Sequence, residues 1–457
     1  ARARRGWVGP PVVGASGLLQ GEAVTARPNH SMGLGSCPAQ AIVRPASTAE
    51  LAEVMKLCHQ HRQPVVAMGG LTGLVNGTAC EPEHLGISLE RMRNIEAIDE
   101  VAGTMTVEAG VVLETAQQAA KQHGWQLAMD WGARGSAQIG GALATNAGGN
   151  SVVRYGMARE QVLGIEAVLA DGTVVTSLNE MLKNNTGYDL KQLFIGSEGT
   201  LGIITRAVLR LRPACDAVQT AVIAVDNFDH VGQILRQLGS TLEGKLSAFE
   251  VMWSSFTGLL IDDTGRHQKL FDDPHPFAIL IESAGVDQAR EAAHFESVLG
   301  ELLEQQLASD VLIAQSSQQA AQIWAMRDDI EGIMHSLAPL AAFDVSLPIR
   351  DMERYIQAVE RRLTELQPQG RLLVFGHLGD SNIHLVFGPT ENKPEVEEVV
   401  YSELVPFNGA VSAEHGIGLD KRVYLHLSRS ETEIALMKSI KQALDPHNLL
   451  NPDKIFL

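Results

Sequence analysis

The chain has 457 residues, 45% hydrophobic and 20% charged, with a formal net charge of −18. Such a length suggests roughly two to four folding units that need no disulfide or metal staple, and its apolar content excludes intrinsic disorder. The acidic balance lacks the electrostatic footprint of a general nucleic-acid or anionic-membrane binder. The opening ARARRGWVG carries three arginines but no continuous apolar core follows, so no secretory signal is visible. No apolar run reaches the ~18–20 residues of a membrane-spanning helix. Cys37, Cys58, Cys80 and Cys215 are scattered without a CxxC pair, which argues against a zinc ribbon or iron–sulfur cluster and suits a reducing compartment. An intracellular protein is expected.

In chain order, residues 1–39 form an N-terminal segment. Residues 40–110 read as short strands around one helix that starts at Thr48, with Leu51, Val54, Met55 and Cys58 at helical spacing. A helix near 113–124 follows, then a glycine-rich tract. VLGIEAVLADGTVVT reads as a hairpin with Asp171-Gly172 as a two-residue turn. FIGSEGTLGIITRAVLRLRP reads as a loop and a long strand ending at Pro213. After about 214, amphipathic helices alternate with strands, which predicts a second α+β domain. The last helix is stopped by Pro446.

Glycine is in excess, 43 residues against the ~7% that is usual, and it clusters. An apolar strand runs into Met68-Gly69-Gly70-Leu71-Thr72-Gly73-Leu74, a loop whose N–H groups can point into one concavity and hold a pyrophosphate. An ordinary glycine-rich turn is the other reading. The tract from Gly132 to Gly149 includes Gly135, Ser136, Gly140, Gly141, Thr145, Asn146 and Gly148. No charge follows Arg134 until Arg154, so a phosphate there would be held by N–H dipoles, with hydroxyl and amide groups as further partners.

Two later segments suggest an ion. In GHLGDSNIH, a two-residue turn at Asp380-Ser381 would set His377 directly opposite His384, near enough to share a divalent ion. Packed or solvated strand histidines are the alternative. In SAEHGIG, Glu414 and His415 sit on a glycine-flanked loop, and Glu414 would complete a His₂Glu set with open positions.

These segments, in this order, resemble the FAD-linked 2-hydroxy-acid dehydrogenases of the vanillyl-alcohol-oxidase (PCMH-type) flavoprotein family, on the D-lactate and D-2-hydroxyglutarate dehydrogenase branch. GGALATNAGG, GHLGDSNIH and SAEHGIG carry the resemblance, which covers residues 40–457. It implies an α+β fold: a PCMH-type FAD-binding domain of two α/β subdomains at 40–213, a substrate and metal cap domain at 214–420, and a C-terminal helix and tail at 421–457 returning to the FAD domain. The loop 69–74 and the tract 136–149 would hold FAD, with Ile204 near the flavin and Asn451 closing over it. Zn²⁺ or Mn²⁺ would bind His377, His384 and Glu414. His415 matches the catalytic base, Arg327 the residue that grips the substrate carboxylate, and Asn382 would touch substrate. Neither glycine-rich loop has a histidine, so the flavin is expected to be non-covalent.

The implied reaction is oxidation of a D-2-hydroxy acid to the 2-oxo acid. Electrons would leave to an electron-transfer flavoprotein, a quinone or a cytochrome, in the cytoplasm of a bacterium or the matrix of a mitochondrion; a homodimer is left open. Two residues depart from the family pattern: Ser381 stands where the hairpin usually has glycine, and Leu71 where Asn or Gly is commoner. Members dedicated to 2-hydroxyglutarate have Thr and Lys where this chain has Glu331 and Ala342. Neither can hold a distal carboxylate and Glu331 would repel one, so a monocarboxylic substrate is expected, lactate-like or with an apolar or aromatic side chain. The alternatives are a D-2-hydroxyglutarate dehydrogenase, an oxidase using O₂, a degenerate flavin-free binder and, outside the class, a metallohydrolase.

Overall fold

A computed structural model describes residues 10–457; the arginine-rich start lies outside them. The chain divides into two compact units. One comprises residues up to Gly148, 156–214 and 414–457; the other comprises 149–155 and 215–413. Residues 414–420, grouped with the cap on sequence, thus pack with the first unit. The physical reason is local: Ile417 and Gly418 donate their N–H groups to the Glu198 carboxylate, and Leu419 donates to the Val75 carbonyl.

The first unit holds two sheets. The smaller runs in the order Leu18–Leu19, Ala41–Val43, Leu85–Ser88, Val65–Met68. Its two inner pairings are parallel around the helix Thr48–His61, while Leu18–Leu19 adds an antiparallel edge from the N-terminal segment. Ser47 caps that helix, its side chain accepting from the Glu50 N–H. The second sheet is antiparallel, in the order Ile95–Asp99, Thr104–Glu108, Ile203–Arg210, Val162–Val168, Val174–Ser177. The two α/β subdomains expected from the resemblance are therefore present.

The 162–177 hairpin turns differently from expectation. Val168 pairs with Val174, the Gly172 N–H donates to the Leu169 carbonyl, and Leu169 donates to Thr173, so the loop is three residues, 170–172. Gly172, at φ 85°, takes the left-handed position that closes such a turn.

The second unit is built on a seven-stranded antiparallel sheet in the order Asp310–Ile313, Ala217–Val225, Phe277–Gly285, Leu246–Trp253, Arg371–Gly376, Asn382–Gly388, Ala341–Ser346. Helices Ser317–Arg327 and Ile330–Leu337 cover one face: Ile323, Met326, Ile333 and Leu337 pack on Met252, Leu280, Phe375 and Val386. Burying such side chains stabilises by about 1.5–3 kcal/mol each, so this layer anchors the helix end that carries Arg327. Among the described residues, no helix is long and apolar enough to cross a membrane.

Candidate active site

In the first unit the two glycine-rich segments lie against each other. A Cβ on Gly70 would stand 2.0 Å from the Ser136 carbonyl oxygen, so only glycine lets the backbones come this close. Gly69 lies beside Gly141 with more room, its Cβ position 3.4 Å from the Gly141 Cα. Among the described residues, none accepts a hydrogen bond from the main-chain N–H groups of residues 70–75. A run of unspent backbone donors beside a tract free of side-chain bulk fits a pyrophosphate. Gln138, within that tract and beside Gly69, has a buried side-chain oxygen without a partner.

Other expected contacts are spent internally. Thr145 Oγ1 donates to the Gly141 carbonyl at 3.1 Å, and Asn146 Oδ1 accepts from the Arg159 N–H at 2.9 Å. Their side chains close the end of the helix Ile139–Ala144, which leaves the cradle to main-chain groups. Ile204 is buried in the core of the five-stranded sheet. Asn451 is a clamp: its Oδ1 accepts from the Ala67 N–H at 2.8 Å, and its Nδ2 donates to the Glu198 carbonyl at 2.6 Å. It thus ties the C-terminal tail to the strand feeding the first loop.

Glu414 and His415 stand on a loop gripped by Glu198. Both oxygens of that buried carboxylate accept main-chain N–H groups, from Ile417 and Gly418, at 2.7 Å each. Burial pushes the Glu198 carboxyl up, against the two N–H groups that favour its charged form. A Cβ on Gly148 would meet a Glu414 carboxylate oxygen at 2.9 Å, so the end of the glycine-rich tract makes room for Glu414. His415 Nε2 lies 3.6 Å from Glu414 Oε1.

In the second unit the hairpin bearing the histidines has a different register from the expected one. Phe375, not His377, stands opposite His384, and a four-residue loop at 378–381 replaces the two-residue turn. The Asn382 N–H returns to the His377 carbonyl. The histidines are diagonal neighbours on one face, yet their rings still meet at 5.3 Å between centroids and a ring nitrogen of each lies within 4.8 Å of the other. Cross-strand diagonals are within reach of rings this large.

Three groups around them were not singled out on sequence. Glu250, 1% exposed, accepts from His377 Nδ1 at 2.6 Å and from Arg327 Nε at 2.9 Å. Burial works against its charge, but His377 and Arg327 outweigh that and lower its pKa to about 2. Asp344, opposite His384 in register, accepts from Asn382 Nδ2 at 2.8 Å and from the Ala413 N–H at 3.1 Å. Phe375 lies 5.0 Å under the Arg327 guanidinium and 5.1 Å from the His384 ring. The available signal was an acid alone in an apolar strand, Glu250 in AFEVMW and Asp344 in AAFDVS, because burying an isolated carboxylate is expensive unless it is paired.

Arg327 is itself buried at the end of its helix. Asn382 is buried too, and because its Nδ2 donates to Asp344 and to the Val345 carbonyl, its Oδ1 remains an acceptor without a partner. Glu331 behaves differently from expectation: its side chain is 89% exposed, so water screens any repulsion it exerts. Ala342 is exposed on the edge strand.

Comparison with known proteins identifies the family of the chain. Residues 39–177 match an FAD binding domain, and residues 216–455 match the C-terminal domain of FAD linked oxidases. A D-2-hydroxyglutarate dehydrogenase of Xanthomonas citri pv. viticola is 38% identical over 429 residues, covering 91% of this chain and 89% of that protein. The mitochondrial D-2-hydroxyglutarate dehydrogenase of Arabidopsis thaliana is 36% identical over 90% of this chain and 74% of its own. A protein of Schizosaccharomyces pombe with the provisional name of a mitochondrial D-lactate dehydrogenase is 35% identical over 91% and 81%. In fold alone, a solved p-cresol methylhydroxylase superposes with a TM-score of 0.75 at 15% identity, over 98% of this chain and 95% of that one. With matches spanning nearly its whole length, the chain belongs to the FAD-linked 2-hydroxy-acid dehydrogenases of the vanillyl-alcohol-oxidase/PCMH flavoprotein family, and is an FAD-dependent oxidoreductase.

Proposed function

We propose that the protein oxidises D-2-hydroxy acids with a single carboxylate, of lactate-like or apolar side chain, to 2-oxo acids with the help of a divalent ion. The observation that carries this reading is the buried Arg327 beside the His377–His384 pair, with Phe375 as an apolar wall. FAD, held non-covalently by the main-chain groups of residues 68–74 and 135–149, with Ile204 in the sheet beneath and Asn451 bracing the strand behind the first loop, would supply the hydride acceptor. Zn²⁺ or Mn²⁺ on His377, His384 and Glu414 supplies Lewis acidity toward the 2-hydroxyl. Chain connectivity favours Glu414 as third ligand, since Ala413 directly before it is bonded to Asp344, the cross-strand partner of His384.

The chain's own groups then have distinct tasks. His415 takes the hydroxyl proton as general base. Arg327 is held by Nε on Glu250, and its terminal nitrogens, which rest on Asp328 and His377 at 3.4 and 3.3 Å, would exchange those longer contacts for the substrate carboxylate and so orient C2. Asn382 Oδ1, buried and unspent, is left to accept from the substrate. Electrons leave to a separate acceptor such as an electron-transfer flavoprotein, a quinone or a cytochrome.

A second reading, D-2-hydroxyglutarate as substrate, is favoured by the names of the Xanthomonas and Arabidopsis relatives. Anaerobic bleaching near 450 nm with D-lactate, D-mandelate and D-2-hydroxyglutarate separates the two: the monocarboxylates should reduce the flavin more efficiently, and a clear preference for 2-hydroxyglutarate would overturn the proposal. Peroxide formed at the rate of turnover would mark an oxidase instead. His415→Asn should slow flavin reduction by roughly 10²–10⁴.

A further inference from the structure

We propose that Glu250 is a positioning residue that ties the metal-binding imidazole and the substrate-binding guanidinium to one carboxylate. The assignment rests on the reading of His377 as a metal ligand. It stands on three contacts. His377 Nδ1 meets Glu250 Oε1 at 2.6 Å, Arg327 Nε meets Glu250 Oε2 at 2.9 Å, and Arg327 Nη2 meets His377 Nε2 at 3.3 Å.

These contacts allow one arrangement of protons. A guanidinium can only donate, so His377 Nε2, facing Arg327, must carry the lone pair. The ring proton then sits on Nδ1, where the Glu250 carboxylate accepts it. That is the tautomer a metal ligand needs, and an outer carboxylate is the usual device for holding it. The other oxygen of the same carboxylate holds Arg327 by Nε and leaves the terminal nitrogens as the edge that can face a substrate carboxylate.

One anion therefore sets the spacing between the nitrogen that binds the ion and the cation that binds the acid. Arg327 Nη2 and an incoming ion also claim the same lone pair. Metal binding should release Nη2, so the ion prepares the site for the acid.

Glutamine cannot replace this glutamate. With one acceptor and one NH₂ group, it must turn a donor toward either His377 or Arg327. Aspartate keeps the charge but is one methylene too short to reach both. The test compares wild type, Glu250→Gln and Glu250→Asp as full-length FAD-loaded proteins, reading retained Zn²⁺ or Mn²⁺ after dialysis, KM for the best 2-hydroxy acid, and flavin per protein. For Glu250→Gln we expect ion affinity to fall about 10–100-fold and KM to rise at least about ten-fold, with flavin content unchanged. Glu250→Asp should move the same two readouts less, and it decides the matter if the glutamine variant does not fold. A merely structural role would lower the melting temperature yet leave ion retention and KM at wild-type values. That result in both variants, beside a metallated wild type, overturns the role of Glu250 alone. A wild-type protein that binds neither ion and turns over fully after chelation sinks the metal reading itself.

Discussion

Ser381 and Leu71, the two positions where the sequence departs from its family's glycine or asparagine, both have left-handed backbones, at φ 70° and 57°. The family preference thus has a steric cause: a Cβ in that conformation costs about 1–2 kcal/mol, and glycine escapes it. Ser381 closes the four-residue loop between the two histidines. Ser381→Gly should raise stability by about 0.5–1 kcal/mol, since the relief of strain exceeds the added freedom of the unfolded chain. Urea denaturation of the two proteins measures it; an unchanged or lower midpoint would contradict the strain. Legibility at this scale was uneven. Arg327, His377, His384, Glu414 and His415 could be placed by motif, whereas Glu250 could not, because the partners that make a buried acid tolerable are distant in sequence.

At the scale of elements, both hairpins existed where apolar runs and turn residues announced them, and both turned with a loop other than two residues. Asp171-Gly172 and Asp380-Ser381 suit loops of several lengths, and the choice falls to sheet packing. The N-terminal segment shows the same dependence. Leu18–Leu19 becomes an edge strand, and Glu90 accepts from Arg27 of that segment and from Arg44 at 3.0 and 2.9 Å. Burial pushes the Glu90 carboxyl up, but Arg44 and Arg27 win and hold it below its ordinary range. A carboxylate lowered in the folded state contributes stability that is fully present above its unfolded pKa, and that is lost as pH falls through the folded one. Amide exchange at Leu18 and Leu19 should therefore quicken as pH drops below about 4.5 relative to unaffected strands, once intrinsic rates are divided out. Glu90→Gln should show the fast exchange already at pH 7. Identical exchange in both proteins would remove the ion pair from the account.

For the whole molecule, the C-terminal residues matter beyond their number. Leu450 bridges Val65 in parallel, Asn451 locks Ala67 to Glu198, and Lys441 Nζ donates to the Thr200 and Leu450 carbonyls. The tail therefore braces the strand that delivers the first glycine-rich loop. Deleting residues 446–457 should strip most of the bound FAD, read as absorbance at 450 nm per protein. Full flavin content in the truncated chain would show the loop to be self-supporting.

Sequence alone determined what local chemistry dictates. Glycine clusters mark where backbone must be bare, alternating apolar residues mark strands, and spaced imidazoles and carboxylates name a reaction class. The tertiary structure decided register, loop length, the partners of Glu250 and Asp344, and which side chains of the tract Thr145–Asn146 were already spent. Those depend on which distant strands lie side by side, and the energy that selects among them is packing and desolvation summed over the sheet.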